Sequence, residues 1–281
     1  MTSRGILRAV SASPATALAE SLRPLTEDPP RAAVLCDIDG TLAPIVSRPE
    51  DAHVREEASV LLSRLGRIYG VVGCVSGRPV AEARRLVGVG AIAYVGSHGA
   101  EVLRPGGLRP ELVHAFASWE GRVRQFVRGR ENAHDFKSLR IRLEDKGPIK
   151  AFHWRGSPDE AAAETTLQGV AQEAQAAGLY IHWGRKVLEI RPPVSVDKGR
   201  GIRTLLESSA VRTVMYGGDD ATDLDAFDAL DSLRAEGGLV AVVKVGVRSS
   251  EGPAAIVTRA DLVVEGTPGF LDVLGALVEP G

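Results

Sequence analysis

Short apolar runs that alternate with helical periodicities limit the possible folds of this chain more than any other feature. Ala32–Cys36 (AAVLC) follows Pro29-Pro30, and Val71–Val75 (VVGCV) leads straight into Ser76-Gly77-Arg78-Pro79. Runs this short and this uniformly apolar suit strands buried on both faces. Between them, residues 56–69 place Ala58, Leu61, Leu62, Leu65 and Ile68 at helical spacing. Residues 79–86 read as the next helix and 92–96 as a third strand. Strand, helix, strand, helix, strand predicts a parallel sheet with helices on both faces.

The pattern breaks at Pro105-Gly106-Gly107 and Pro110. Beyond that point, residues 111–127 and 159–177 read as amphipathic helices. Residues 139–143 and 149–154 read as strands, and 180–183 with 186–191 as a closing hairpin around Gly184-Arg185. Mostly alternating polarity in these strands predicts a small sheet with helices on one face only. From Val196 the first pattern resumes: helix 199–208, strand 213–217, helix 222–230, strands 239–245 and 261–264, and a helix from about Pro268. The expected architecture is α/β: a parallel-sheet core over residues 1–108 and 194–281, interrupted by an α+β lid over 109–193. Residues 1–28 read as an N-terminal arm or helix.

Bulk properties narrow the function classes. With a formal charge of −2 over 281 residues, the chain has no general pull toward nucleic acid or an anionic membrane. No run approaches the roughly 18 apolar residues of a membrane span, so the expected compartment is the cytosol. Two cysteines, Cys36 and Cys74, are too few for a disulfide framework or a four-ligand zinc site and are expected as buried free thiols. Gly88-Val89-Gly90-Ala91-Ile92-Ala93 fits a dinucleotide-binding pattern, but it follows a helix and enters a strand, the reverse of the required context. No phosphate-binding G-x-x-x-x-G-K-[ST] run is present.

The chemistry-bearing residues stand where the predicted strands end, the edge at which open parallel sheets bind ligands. Asp37-Ile38-Asp39-Gly40-Thr41-Leu42 comes directly after the first strand. Two bare carboxylates one residue apart repel each other, and a hard cation such as Mg2+ resolves this by taking a few carboxylates while keeping water and phosphate oxygens. Asp37 then suits a nucleophile at phosphorus, and Asp39 a proton donor to the leaving oxygen and later a base. An acidic surface turn capping a helix is the plain alternative. A calcium loop is excluded because Gly40 and Arg48 occupy the wrong places in it.

Ser76-Gly77-Arg78 offers a hydroxyl and approachable N–H groups for a phosphoryl oxygen, or forms a turn. Gly217-Gly218-Asp219-Asp220-Ala221-Thr222-Asp223 gathers three aspartates at another strand end. Asp219 reads as a metal ligand, while Asp220 and Asp223 also suit the start of a helix. Lys198, before a helix, is suited to balance the charge of phosphate and Asp37, or is solvated.

The order DxDGTL, SGR, DKG, GDDxTD resembles the haloacid-dehalogenase-like phosphatases, whose core is a Rossmann-like parallel sheet. Gly96-Ser97-His98-Gly99-Ala100-Glu101, Glu144-Asp145-Lys146-Gly147, Phe152-His153-Trp154-Arg155 and Leu188-Glu189-Ile190-Arg191-Pro192 narrow the likeness to the trehalose-6-phosphate phosphatases, from about residue 30 onward. The resemblance implies hydrolysis of trehalose 6-phosphate with Mg2+ as cofactor and a small-molecule sugar phosphate as partner. It implies Asp37 as nucleophile and Asp39 as acid/base. The metal site is implied to be Asp37, Asp219 and the Asp39 carbonyl, with Thr41, Asp220 and Asp223 behind it. Ser76 and Lys198 are implied to position phosphate, helped by Gly77 and Arg78. His98, Glu101, Lys146, Arg155, Glu189 and Arg191 are implied sugar contacts, Lys146 and Glu189 foremost. Ser97 stands where asparagine is common and Trp154 where tyrosine is common. The alternatives in view are a phosphatase of sucrose phosphate, a glycosylated phosphoglycerate or a pseudo-disaccharide phosphate, a phosphosugar mutase, and a non-catalytic sensor. Oligomeric state is left open.

Overall fold

The computed structural model describes residues 14–46, 51–146, 148–184, 186–207, 209–249 and 252–279. They form two compact units, one from Met1–Pro110 and Asp197–Gly281, the other from Glu111–Val196. Of the expected N-terminal arm, residues 1–13 lie outside the described residues.

The larger unit begins with α1 (Pro14–Thr26), β1 (Ala32–Cys36), α2 (Glu56–Leu65), β2 (Val71–Val75), α3 (Val80–Val87), β3 (Ala93–Gly96) and β4 (Glu101–Leu103). The second unit holds β5 (Glu111–Leu112), α4 (His114–Val127), α5 (His134–Ser138), β6 (Arg142–Lys146), β7 (Ile149–His153), α6 (Glu160–Ala176), β8 (Tyr180–Gly184) and β9 (Val187–Arg191). The chain then returns with α7 (Lys198–Leu206), β10 (Thr213–Gly218), α8 (Asp223–Ala235), β11 (Ala241–Arg248), α9 (Ala254–Arg259), β12 (Leu262–Glu265) and α10 (Gly266–Val278).

The larger unit's strands run in the order β12-β11-β10-β1-β2-β3-β4. All neighbours are parallel except β3 and β4, which pair antiparallel at one edge. Every residue of β1 is buried, as a strand with helices on both faces requires. Ala32, Val34 and Cys36 face a core shared with α2, α3 and α10, while α7 and α8 pack on each other and on the sheet. Each Leu or Val sequestered this way contributes about 1.5–3 kcal/mol. Cys36 and Cys74 are adjacent across β1 and β2, buried and free.

In the second unit an antiparallel sheet is ordered β6-β7-β9-β8. Leu143, Phe152, Leu188 and Ile190 pack against Val123 and Val127 of α4 and Leu167 and Val170 of α6. One face is thus covered by both helices. A strand expected at 139–143 is replaced by the end of α5 and a later strand start. Arg140 turns left-handed (φ 52°), and the Ile141 N–H bonds the Phe136 carbonyl at 2.9 Å. That is the closing bond of a Schellman motif with arginine in the usual glycine place, which a run of Leu-Arg-Ile does not announce. The helix α9 and the antiparallel β4 were likewise absent from the sequence reading.

Candidate active site

The site assembles at the carboxyl ends of β1, β2 and β10. Register fixes it: Cys36 pairs with Gly217 and with Cys74, and the Asp37 N–H continues the ladder onto the Gly217 carbonyl at 2.8 Å. Gly40 then turns back with φ +90°, and a Cβ there would fall 2.1 Å from an Asp219 carboxylate oxygen. Glycine is required on both counts, since φ is left-handed and the backbone lies directly on Asp219.

Asp37, Lys198, Asp219 and Asp223 are all nearly or fully buried. Lys198 reaches Asp37 at 3.1 Å, Asp223 at 2.7 Å and Asp220 at 3.7 Å. It is the first residue of α7, whose preceding Asp197 accepts the Arg200 N–H at 2.7 Å; that cap holds the lysine at the sheet edge. Thr41 donates to Asp219 at 3.3 Å. Carboxylate oxygens of Asp37, Asp219 and Asp223 all lie within 4.8 Å of one another.

Charge crowding shows in the acidities. Burial pushes the Asp37 carboxyl well above its ordinary range, against the pull of Lys198. Burial, then the charges of Asp223 and Asp220, push Asp219 up to about 7. Burial opposes the charge of Lys198, but Asp37 and Asp223 outweigh it and its acidity is weakened further. One ammonium among four carboxylates leaves room for more positive charge. The donors are hard oxygens, which suit a divalent cation that keeps water and phosphate as further ligands.

Asp223 differs from its neighbours. Its Oδ1 accepts from Tyr216 O–H at 2.5 Å and Lys198 at 2.7 Å, and its Oδ2 from the N–H groups of Asp219 at 2.9 Å and Asp220 at 3.0 Å. Asp220 accepts from Thr222 N–H and O–H and from Asp223 N–H as α8 begins. Asp220 therefore serves the helix start, whereas Asp223, the first residue of α8, ties Lys198, Tyr216 and the two preceding loop N–H groups together.

The structure turns Asp39 toward Arg78. The guanidinium holds both carboxylate oxygens, Nε to Oδ2 at 2.7 Å and Nη2 to Oδ1 at 2.8 Å, while Nη1 bonds Glu82. This fork is among the stronger ion-pair geometries. Glu82 was missed in the sequence, although it stands one helical turn after Arg78. Ser76 is fully buried, with its hydroxyl accepting the Arg78 N–H at 3.1 Å. Gly77 lies under the His98 ring, where a Cβ would come within 2.6 Å of Cε1. Ser97 and His98 both hold left-handed backbone (φ 51° and 55°), which costs about 1 kcal/mol or more apiece and is typical of functional loops. Glu101 is buried and accepts the Val80 N–H at 2.8 Å and a Ser97 hydrogen bond. Its carboxylate is thus engaged at the start of α3.

In the second unit, register sets Glu144 opposite Ala151, Ala151 opposite Glu189, and Glu189 opposite His182. These residues share the sheet face turned away from α4 and α6, since the alternate residues Phe152, Leu188 and Ile190 face those helices. Arg191 shares that face and bonds Glu189 through Nε at 3.0 Å; His153 meets Glu144 at 2.7 Å. Lys146 closes β6 opposite Ile149, and its side chain lies outside the described residues. Arg155 stands in an exposed turn beyond β7.

A trehalose-phosphatase family model matches residues 35–258. The chain belongs to the trehalose-phosphatase family. It is 34% identical to the trehalose-phosphate phosphatase of Mycobacterium avium over 228 residues, 78% of this chain and 55% of that protein. It is 33% identical to an uncharacterised glycosyl hydrolase of Mycobacterium tuberculosis over 207 residues, 71% of this chain and 15% of that protein. The chain thus spans about half the length of the phosphatases it matches. A trehalose-6-phosphate phosphatase C-terminal domain from C. albicans shares the fold, with a TM-score of 0.62, 21% identity, and coverage of 96% of this chain and 99% of that one. The family's haloacid-dehalogenase-like fold is the α/β architecture expected from the alternation of strands and helices. Among the described residues, no helix is long and apolar enough to cross a membrane.

Proposed function

We propose that this chain hydrolyses trehalose 6-phosphate to trehalose and phosphate with Mg2+, through a phospho-Asp37 intermediate, in the cytosol. The observation that carries the reading is the buried cluster of Asp37, Asp219 and Asp223, in which Lys198 pairs with Asp37 and Asp223. Family membership supports it. Asp37 and Asp219, with the Asp39 carbonyl, would hold the ion. When bound, Mg2+ offsets the negative charge that Asp37 and a phosphate would otherwise oppose to each other.

Asp37 attacks phosphorus, and the bond from phosphorus to the sugar oxygen breaks. Its electron pair stays on that oxygen, which takes a proton from Asp39. Water then attacks the phospho-Asp37 phosphorus as Asp39 accepts its proton, and the bond to the Asp37 oxygen breaks to release phosphate. Both Asp39 oxygens accept one hydrogen bond from Arg78 in the structure, which leaves each a second lone pair on which a proton can be carried. Lys198 steadies the negative charge throughout. Most of the acceleration comes from positioning and charge neutralisation. We assign the inserted unit the role of a sugar-reading lid, with Lys146, Glu189 and Arg191 as hydrogen-bonding partners for sugar hydroxyls.

Steady-state phosphate release across trehalose 6-phosphate, sucrose 6-phosphate and glucosyl phosphoglycerate, with and without Mg2+, tests the reading. Trehalose 6-phosphate should be turned over at least tenfold more efficiently than the others, and only with Mg2+; a preference for another sugar would reassign the substrate. Glu189→Ala and Lys146→Ala should lower kcat/KM for trehalose 6-phosphate about 10-fold to 100-fold, in line with loss of hydrogen bonds worth about 1.5–3 kcal/mol. Turnover of p-nitrophenyl phosphate should stay within about twofold. Equal losses on both substrates would remove the sugar-reading role.

Acidity gives a second check. The Asp219 carboxyl, raised to about 7, stays protonated in the metal-free fold over pH values where the unfolded chain has already ionised it. The folded state then binds more protons, so metal-free stability falls as pH rises from about 4 toward 7 and levels off above. Mg2+ requires the carboxylate and competes with that proton. The rise in melting temperature on adding Mg2+ should be several degrees larger at pH 8 than at pH 5.5. Equal rises at both would show that Asp219 is not a ligand.

A further inference from the structure

Tyr216 is the largest polar group near the site to which the reaction gives no role. It is fully buried in β10, and its ring packs edge-on against Phe227 of α8, with centroids 6.2 Å apart at 89°. A buried phenol needs a partner for its O–H, and here that partner is Asp223, at 2.5 Å. The choice has a consequence, because Asp223 lies in the same 4.8 Å cluster as Asp37 and Asp219. A third carboxylate at that distance is a natural ligand for a divalent cation.

With Tyr216 in place, Asp223 has four donors: the phenol, Lys198 and the N–H groups of Asp219 and Asp220. Two donors on each oxygen use its lone pairs. Turning toward a cation would strip donors from a buried carboxylate and leave the phenol unpaired, which is costly in a dry interior. We propose that Tyr216 is a positioning residue that holds Asp223 off the cation and on Lys198, so that the ion meets two side-chain carboxylates rather than three. The ammonium of Lys198 is thereby kept between Asp223 and Asp37 and is not drawn off by a mobile Asp223. This inference rests on the divalent-cation reading given above.

Tyr216→Phe tests it, because the ring keeps its contact with Phe227 while the O–H is lost. Oδ1 of Asp223 then retains only Lys198 and gains a free lone pair toward the cluster. The Mg2+ concentration giving half-maximal rise in melting temperature should fall at least threefold relative to the parent protein. Phe227→Leu is the control: it disturbs the packing, lowers the melting temperature, and leaves the Mg2+ midpoint within twofold. An unchanged or higher midpoint in Tyr216→Phe overturns the proposal, whatever its melting temperature. A parent protein with no Mg2+-dependent rise overturns the cation reading and this inference together, whereas a normal rise in the parent with no shift in the variant overturns this inference alone.

Discussion

Asp37→Asn is expected to lower phosphate release by at least about 10⁴-fold while the fold is retained. An amide oxygen is a poor nucleophile at phosphorus, so the covalent route closes. At 1.36 kcal/mol per factor of ten, the loss corresponds to a barrier raised by about 5 kcal/mol or more. Stability should move the other way in metal-free protein. Asp37 is buried, and its carboxyl is pushed upward chiefly by that burial and further by Asp223. A neutral amide of the same shape removes that crowding, and Lys198 keeps Asp223 at 2.7 Å. Without Mg2+ the variant should therefore melt at or above the parent temperature. With Mg2+ it should gain less, because a ligand is missing. Phosphate release and thermal unfolding with and without Mg2+ check both halves. Retained turnover would sink the nucleophile assignment, and a variant that melts far below the parent would show that Asp37 stabilises the fold.

The sheet was legible because uniformly apolar runs such as AAVLC and VVGCV have few alternatives to strands buried on both faces. The parallel arrangement follows from helical periodicity between them. Where signals conflicted, the reading slipped. Leu139-Arg140-Ile141 carries β-compatible residues, but the preceding HDFKS segment forms α5 and closes through a left-handed arginine, so the strand starts at Arg142. Local propensity could not foresee an arginine where glycine is usual.

At the site, strand ends told most of the story, because a parallel register carries Asp37, Ser76 and Asp219 to one edge. What spacing could not tell was how each carboxylate would spend its hydrogen bonds. Asp39 and Asp37 are two residues apart, yet one meets Lys198 and the other Arg78. Asp219 and Asp223 look alike in the sequence, but only Asp223 is saturated by four donors. Tyr216 and Glu82 were invisible for the same reason: each acts through a partner brought close by tertiary packing. The residues of β6 and β9 proposed to read the sugar need the antiparallel register to be seen as one face, which a hairpin signal only partly fixes.

Lys198→Met is expected to lower stability by about 3–5 kcal/mol at pH 8, the typical cost of removing one partner from a buried ionic group. The lysine is 2% exposed, and its three partners are Asp37, Asp220 and Asp223. Methionine fills most of the volume, so the deficit reports on charge and not on a cavity. The pH dependence follows from sign. Lys198 is held protonated beyond its ordinary value; its contribution is complete below the unfolded value of about 10.4 and is lost only as pH rises through the higher folded one. Between pH 5 and 8 the lysine itself therefore adds no slope. In the variant the orphaned carboxylates take up protons more readily in the fold than in the unfolded chain, so the deficit should shrink as pH falls toward 5. Mg2+ should recover part of the loss at pH 8 by supplying positive charge at Asp37 and Asp219, without restoring turnover, since Lys198 also steadies the phosphoryl group. Urea unfolding at pH 5 and 8, with and without Mg2+, measures all of this. A variant as stable as the parent at pH 8 would mean that the carboxylates around Lys198 are neutral in the fold already, and the charge argument for the site would fall with it.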